Sequence, residues 1–360
     1  MFTNFKKSKI CVYSLIIILF VSLFSIIVVN FFKTKQKTYY YLEQKEAAYL
    51  MKESIEAIRE HRLSSNIPID KDNDLNLTGI IGKEYTPLTT TLGNLESKRT
   101  ALNPDFAALM VKYFHQIGLK KSDYIGIGAS GSFPGLILAT LSATQTMELK
   151  PIIIYSVGSS SYGANIIDFT FIEMLHYLNK KDVLSHKIKA VSLGGNLDKA
   201  KGLLIEGSKE IFIDTAQKAN TKYIYEEVLK NSIKKRMEIY SNESKQSEIK
   251  CFVNIGGAVA NFGKTNKSLS FPNGLVLNAH PIPEDNNRGL IFEYTAQNKP
   301  IIHLLNVREL ASENNITVDP VPLPEPGKSG VYFEVVYNKL VILIALISIL
   351  TSIFFAINKN

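Results

Sequence analysis

Residues 10–32, ICVYSLIIILFVSLFSIIVVNFF, run for 23 positions without a charged side chain, and residues 340–357, LVILIALISILTSIFFAI, run for 18 more. As helices they reach about 34 Å and about 27 Å, against a hydrocarbon core of about 30 Å. A chain with such a run near each end is held there by an apolar medium. Whatever folds between them starts and finishes on one side of it. The first run comes after Lys6, Lys7 and Lys9, as a signal peptide would. It is longer than a signal core, however, and continues into NFFKTKQK without a small-residue cleavage site, so an uncleaved anchor is expected. Lys33, Lys35 and Lys37 balance the lysines ahead of it and leave little charge bias to orient the chain. Because a signal-anchor translocates the chain on its C-terminal side, the expectation is a two-pass cell-membrane protein with an extracytoplasmic domain. Cys11 and Tyr13 are the only ionisable side chains in the spans, which therefore read as anchors and not as an ion path.

The expected organisation is a tail at 1–9, a transmembrane helix at 10–32, and a membrane-proximal helix and loop at 33–83. Next come an α/β domain at 84–317, a Pro-rich linker at 318–339, a second transmembrane helix at 340–357 and a tail at 358–360. Of the net charge of +8, half sits in the tails on Lys6, Lys7, Lys9 and Lys359. The remainder is too weak a bias to indicate nucleic acid, though it suits a polyanion. Cys251 is the only cysteine of the domain, so no intrachain disulfide and no cysteine-based metal cluster is available there. No histidine pair has ligand spacing, and neither a metal nor a cofactor is expected.

Within residues 38–63, Ala47, Ala48, Met51, Ile55 and Ile58 share one helical face, which predicts a helix packed on the main domain. From residue 84 a repeated grammar sets in. NPDFAALMVKYFHQIG reads as a helix with Asn103 as N-cap, Pro104 at its first position and Gly118 as its stop. DYIGIG, KPIIIYSVG, HKIKAVSL and IKCFVNI are short, nearly continuous apolar runs. Each feeds a small-residue turn and mostly a helix, with LDKAKGLLIE taken as the helix after the third. This is the pattern of strands buried on both faces. The predicted fold is α/β, a doubly wound and mostly parallel sheet flanked by an N-terminal and a C-terminal transmembrane helix.

In such a sheet the ligand crevice lies beyond the carboxyl ends of the strands. The turns with Gly128, Gly131 and Ser132, with Ser159, Ser160 and Ser161, with Gly194, Gly195 and Asn196, and with Gly256 and Gly257 would gather there. Any one of them is explained by the need to turn without a Cβ clash. Four together indicate a binding rim, with exposed N–H groups suited to an anion. Lys98 and Arg99 in LESKRT are added as candidates for meeting carboxylates.

GASGS also approaches the G-x-S-x-G nucleophile elbow, with Ser132 where the last glycine belongs. As a serine hydrolase, Ser130 would attack, His280 in the loop NAHPIPEDNNRG would be the base, and Asp168 or Glu173 would orient it. The plainer role for Ser132 is as N-cap of the next helix. His303, in PIIHLL, reads as a core histidine. The near match to G-x-G-x-x-G lacks a ribose-binding acid and does not indicate a nicotinamide enzyme.

The runs TTTLGNLESKRTALNPDFAALMVKYF, IGIGASGSFPGL, YSVGSSSYGAN and SLGGN together resemble the poly-γ-glutamate system proteins, over roughly residues 85–290. These are bacterial membrane proteins encoded beside the poly-γ-glutamate ligase and its membrane partner. The resemblance implies a role in making, exporting or processing an anionic γ-glutamyl polymer of the capsule or cell envelope. Poly-γ-glutamate or its synthase and export proteins would be the partners. It carries no catalytic residues with it, and three readings stay open. The domain binds polymer or partners, acts as a serine hydrolase or transferase on γ-glutamyl amides, or senses a small anion or phosphosugar.

Overall fold

A computed structural model describes residues 12–201, 204–205, 207–277 and 280–358, so the tail at 1–9, residues 10–11 of the first expected span and residues 359–360 of the tail at 358–360 lie outside the described residues. The four apolar runs are strands β1 (Tyr124–Ser130), β2 (Lys150–Ser156), β3 (Ile188–Ser192) and β5 (Ile249–Ile255). Three short strands complete the sheet: β4 (Lys222–Ile224), β6 (Gly274–Val276) and β7 (Ile301–Leu304). The order across it is β4-β3-β2-β1-β5-β7-β6, parallel throughout except for β6, which runs antiparallel to β7.

The inner strands are apolar at nearly every position because both faces are covered. Ile152 and Ile154 join Ile233, Tyr240, Leu290 and Phe292 in one core, contributed by helices Leu229–Glu243 and Leu290–Thr295. Tyr155 points the other way, its ring 6.1 Å from that of Phe171 in helix Phe171–Lys180. Helix Tyr41–Ser64 packs on helices Asp105–Ile117 and Pro134–Thr146, and Ala47, Ala48, Met51, Ile55 and Ile58 are all buried, as their spacing requires.

The first helix of the repeated grammar starts one residue later than expected. Its N-cap position is Pro104, while Asn103 Oδ1 accepts from the Asp105 N–H at 3.0 Å. Gly118 ends it in the left-handed conformation. The expected helix LDKAKGLLIE does not form at its start. Leu197, Asp198 and Ala200 have positive φ, and the next helix is Lys209–Lys218.

Tyr40–Tyr332 form one compact unit, so the domain reaches beyond 84–317 at both ends. Residues 318–332 are not a free linker. Arg99 pairs with Asp319, Asn76 Nδ2 donates to Pro320 O at 2.8 Å, and the Tyr332 hydroxyl donates to Asp105 at 2.7 Å. Proline content predicts extension, and here the extended segment is bound along the domain by polar contacts that composition does not reveal.

Residues 12–39 and 333–358 form the second unit. Helices Val12–Phe31 and Lys339–Asn358 are each 20 residues long, with mean hydropathy 2.9 and 3.0, long and apolar enough to cross a membrane. They pack on each other, and Thr34–Lys37 pairs antiparallel with Phe333–Val336 beside them.

Candidate functional site

The carboxyl ends of β1, β2, β3, β5 and β7 open into a cleft of about 630 Å³. Ser130, Ser132 and Phe133 line it after β1, Ser156, Gly158 and Ser160 after β2, and Gly194, Gly195 and Asn196 after β3. Gly257 and Phe262 follow β5, Leu305 follows β7, and residues Thr90 to Lys98 form the remaining wall. All four turns anticipated from the sequence therefore meet at one site.

Within those turns, lining and packing are divided. Gly128 lies below the rim, where a Cβ would come within 2.6 Å of the fully buried Asn261 side chain. Gly131 O accepts from the Ser159 hydroxyl at 3.0 Å, and both residues sit behind the surface together with Ser161. Gly256 has φ +85°, and a Cβ on it would stand 2.7 Å from Ser130 Oγ. These five positions are not among the residues that line the cleft, and their contacts are packing ones. Ser132 is not the N-cap of the following helix, whose cap position is Phe133 without a side-chain bond. Its hydroxyl accepts from the Ser160 N–H at 3.1 Å and ties the first turn to the second.

The third turn is held from beneath by a buried ion pair. Arg236 and Asp198 meet at 2.8 Å with almost no solvent exposure. Asp198 also accepts from the Ser192 hydroxyl at 2.7 Å, the Ser232 hydroxyl at 2.6 Å and the Gly194 N–H at 3.2 Å. Arg236 reaches the Ser192 hydroxyl at 2.6 Å, at the end of β3. In a low-dielectric floor this carboxylate fixes the loop that presents Gly195 and Asn196. Neither member stands out in sequence, since Asp198 falls in an expected helix and Arg236 in a charged one.

Lys98 is the unusual side chain of the site. It belongs to the short helix Leu95–Thr100, capped by Asn94 Oδ1 on the Ser97 N–H at 2.8 Å, and is 3% exposed. Its ammonium donates to Ser132 O, meets Ser160 Oγ at 2.6 Å and lies 3.8 Å from the centre of the Phe133 ring. Among the described residues it has no carboxylate partner. Burial pulls its pKa from the ordinary 10.5 down to about 7. Arg99, expected beside it as a second ligand cation, is turned away: its guanidinium fork closes on Asp319 at 2.7 and 2.5 Å.

The serine triad is not brought together. Ser130 Oγ is buried with no hydrogen-bond partner among the described residues, although the residue lines the cleft. His280 packs edge-on against Phe271 with ring centres 5.0 Å apart. Asp168 sits in a left-handed turn and pairs with Lys218 at the surface, and Glu173 closes a capping box with Thr170. Neither His280 nor either acid lines the cleft. His303 is a core histidine, as its strand position suggests: it bonds Asn254 Nδ2 at 2.8 Å, and burial lowers its pKa to about 4.

The cleft contains Lys98, Lys201 and Lys264 and, among its described lining residues, no aspartate or glutamate. Lys201 and Lys264 are exposed, and Lys264 donates to Asn196 Oδ1 at 3.1 Å, linking the turn after β5 to the one after β3. These two lysines were not apparent in the sequence, because they come several residues after their glycine turns. The threonine wall has a clearer origin. TTT forms a short parallel bridge, Thr89–Thr91 with Ser159–Ser160, that carries it to the second turn.

No family model, curated protein or solved structure matches this chain.

Proposed function

We propose that this chain is a two-pass membrane protein whose doubly wound domain binds a polycarboxylate, a γ-glutamyl polymer, in the cleft at its sheet edge. The observation that carries this reading is the charge of the cleft. Three lysines face it, no described lining residue is acidic, and one of the lysines is buried with no carboxylate partner among the described residues. Small Ser, Thr and Gly side chains on the walls leave backbone N–H groups accessible to carboxylates. The strand order reverses between β1 and β5, and Ser130 and Gly257 flank that reversal, where open α/β sheets take their ligands. The motif resemblance supplies the polymer's identity, and the two apolar helices supply the tether. On this reading the domain is extracytoplasmic and holds nascent or exported poly-γ-glutamate beside its synthase and export proteins.

Equilibrium binding of labelled poly-γ-glutamate to the full chain in non-ionic detergent tests it. Affinity should fall as salt is raised, because exposed Lys201 and Lys264 act through a screened field. Lys201→Ala with Lys264→Ala should weaken binding about tenfold, equivalent to about 1.4 kcal/mol. Affinity independent of both salt and these lysines would refute the cleft as the polymer site.

A further inference from the structure

The three groups expected of a serine hydrolase stand apart, yet a different pair has been assembled in the same cleft. Lys98 Nζ and Ser160 Oγ are 2.6 Å apart, and both residues line the cleft while being almost wholly buried. We propose that Ser160 and Lys98 form a nucleophile–base pair that cleaves a γ-linked amide held in the cleft. The assignment of substrate rests on the polymer-binding reading above; the pair itself does not.

The surroundings of Lys98 suit a base better than a simple anchor for anions. A neutral amine has two N–H bonds and one lone pair. One N–H is satisfied by Ser132 O; the ammonium donates to Ser160 Oγ, and losing that proton turns a lone pair toward the hydroxyl. The stem is held in place by its passage alongside Gly93, where a Cβ would lie 3.2 Å from Lys98 Cε and 2.5 Å from Ser161 O. Burial disfavours the ammonium, and with no carboxylate partner among the described residues the amine is available near neutral pH. Serine–lysine pairing is one of the recurrent forms of the activated serine. The buried hydroxyl of Ser130, unpartnered among the described residues, belongs to the same cleft and is the donor left for the developing oxyanion.

The step balances with water as the only co-reactant. Ser160 Oγ bonds to the amide carbon as its proton passes to Lys98 Nζ, and the carbonyl π pair moves onto oxygen. Collapse of that adduct breaks the C–N bond, and the leaving amine takes the proton from Lys98. Water then attacks the acyl ester, giving its proton to Lys98, and the C–Oγ bond breaks as Ser160 regains a proton. The product is a carboxylate and a free amine, with no change of oxidation state.

The full chain in detergent is treated with a fluorophosphonate, which forms a P–O bond with an activated serine and releases fluoride. Polymer binding is measured on the same sample. The expected result is an adduct mapped by mass spectrometry to Ser160, with a labelling rate that rises through about pH 7 and then levels off as Lys98 loses its proton. Lys98→Met should slow labelling about 100-fold or more, and Ser160→Ala should abolish the adduct. The wild-type pH profile requires no variant, so it remains decisive if Lys98→Met fails to fold. A wild-type chain that binds polymer but gives no adduct on Ser160 overturns the pair and leaves the binding reading intact. Undiminished labelling of folded Lys98→Met overturns the role of Lys98. An adduct on Ser160 without release of free γ-glutamyl amines from the polymer overturns the substrate assignment.

Discussion

A lysine that is buried with no carboxylate partner among the described residues should be visible in the stability of the protein before any ligand is identified. Lys98 is held near a pKa of about 7 in the folded chain, against an ordinary 10.5 when unfolded. Between these values the unfolded chain carries a proton that the folded chain has released. Stability therefore rises with pH across that window, by about 1.4 kcal/mol per unit where the difference is complete. From about pH 7 to about pH 9.5 the contribution integrates to about 3 kcal/mol, a large share of a total stability of about 5–15 kcal/mol. Below about pH 7 the folded lysine is also protonated, and its full cost is present.

The perturbation is Lys98→Met, which keeps the length of the side chain and removes the titration. Urea unfolding of both full chains in the same detergent, repeated across pH, gives two stability curves. Their difference cancels groups common to both, such as buried Cys251, whose thiol burial holds well above its usual range. Wild type minus Lys98→Met should climb by about 3 kcal/mol over this range and be flat below about pH 7. Parallel curves would refute the reasoning, because they would mean that Lys98 titrates like a solvated lysine.

The packing beneath the rim sets three further outcomes. Arg236→Met leaves Asp198 buried and unpaired, and should destabilise the chain by about 3–5 kcal/mol in urea unfolding. It should also raise hydrogen exchange in the 193–200 loop. Arg99→Ala removes only the contact to Asp319 at the side of the domain. It should cost about 1 kcal/mol or less and leave polymer affinity unchanged, which a binding isotherm checks. Gly128→Ala would drive a methyl group into Asn261, and should cost about 1–3 kcal/mol by thermal or urea unfolding.

The sheet was legible because its four central strands have no wet face. Tyr124–Ser130, Lys150–Ser156, Ile188–Ser192 and Ile249–Ile255 are buried on both sides and so appear as short apolar runs between glycine turns. That the turns share an edge is a consequence of parallel pairing, so the location of the rim was legible too. Which turn residues face outward was not, because that depends on the neighbouring layer. Gly128 is required by Asn261, more than a hundred residues away in sequence, and Ser132 is drawn from its helix by the Ser160 N–H. Lys98 and Arg99 are adjacent in sequence, yet a short helix sends one into the cleft and the other to Asp319. The triad failed for a related reason: a loop histidine and a turn aspartate satisfy a motif by type, but Phe271 and Lys218 occupy them.

The central claim is that an oligomeric γ-glutamate occupies the cleft between the serine turns and the lysines. A γ-linked oligoglutamate with a photoreactive end group, irradiated with the full chain and then located by peptide mapping, tests this directly. Cross-links in residues 90–98, 156–160 and 257–264, suppressed by excess unlabelled polymer, are the predicted result. Saturable cross-links confined to peptides outside the cleft would contradict it.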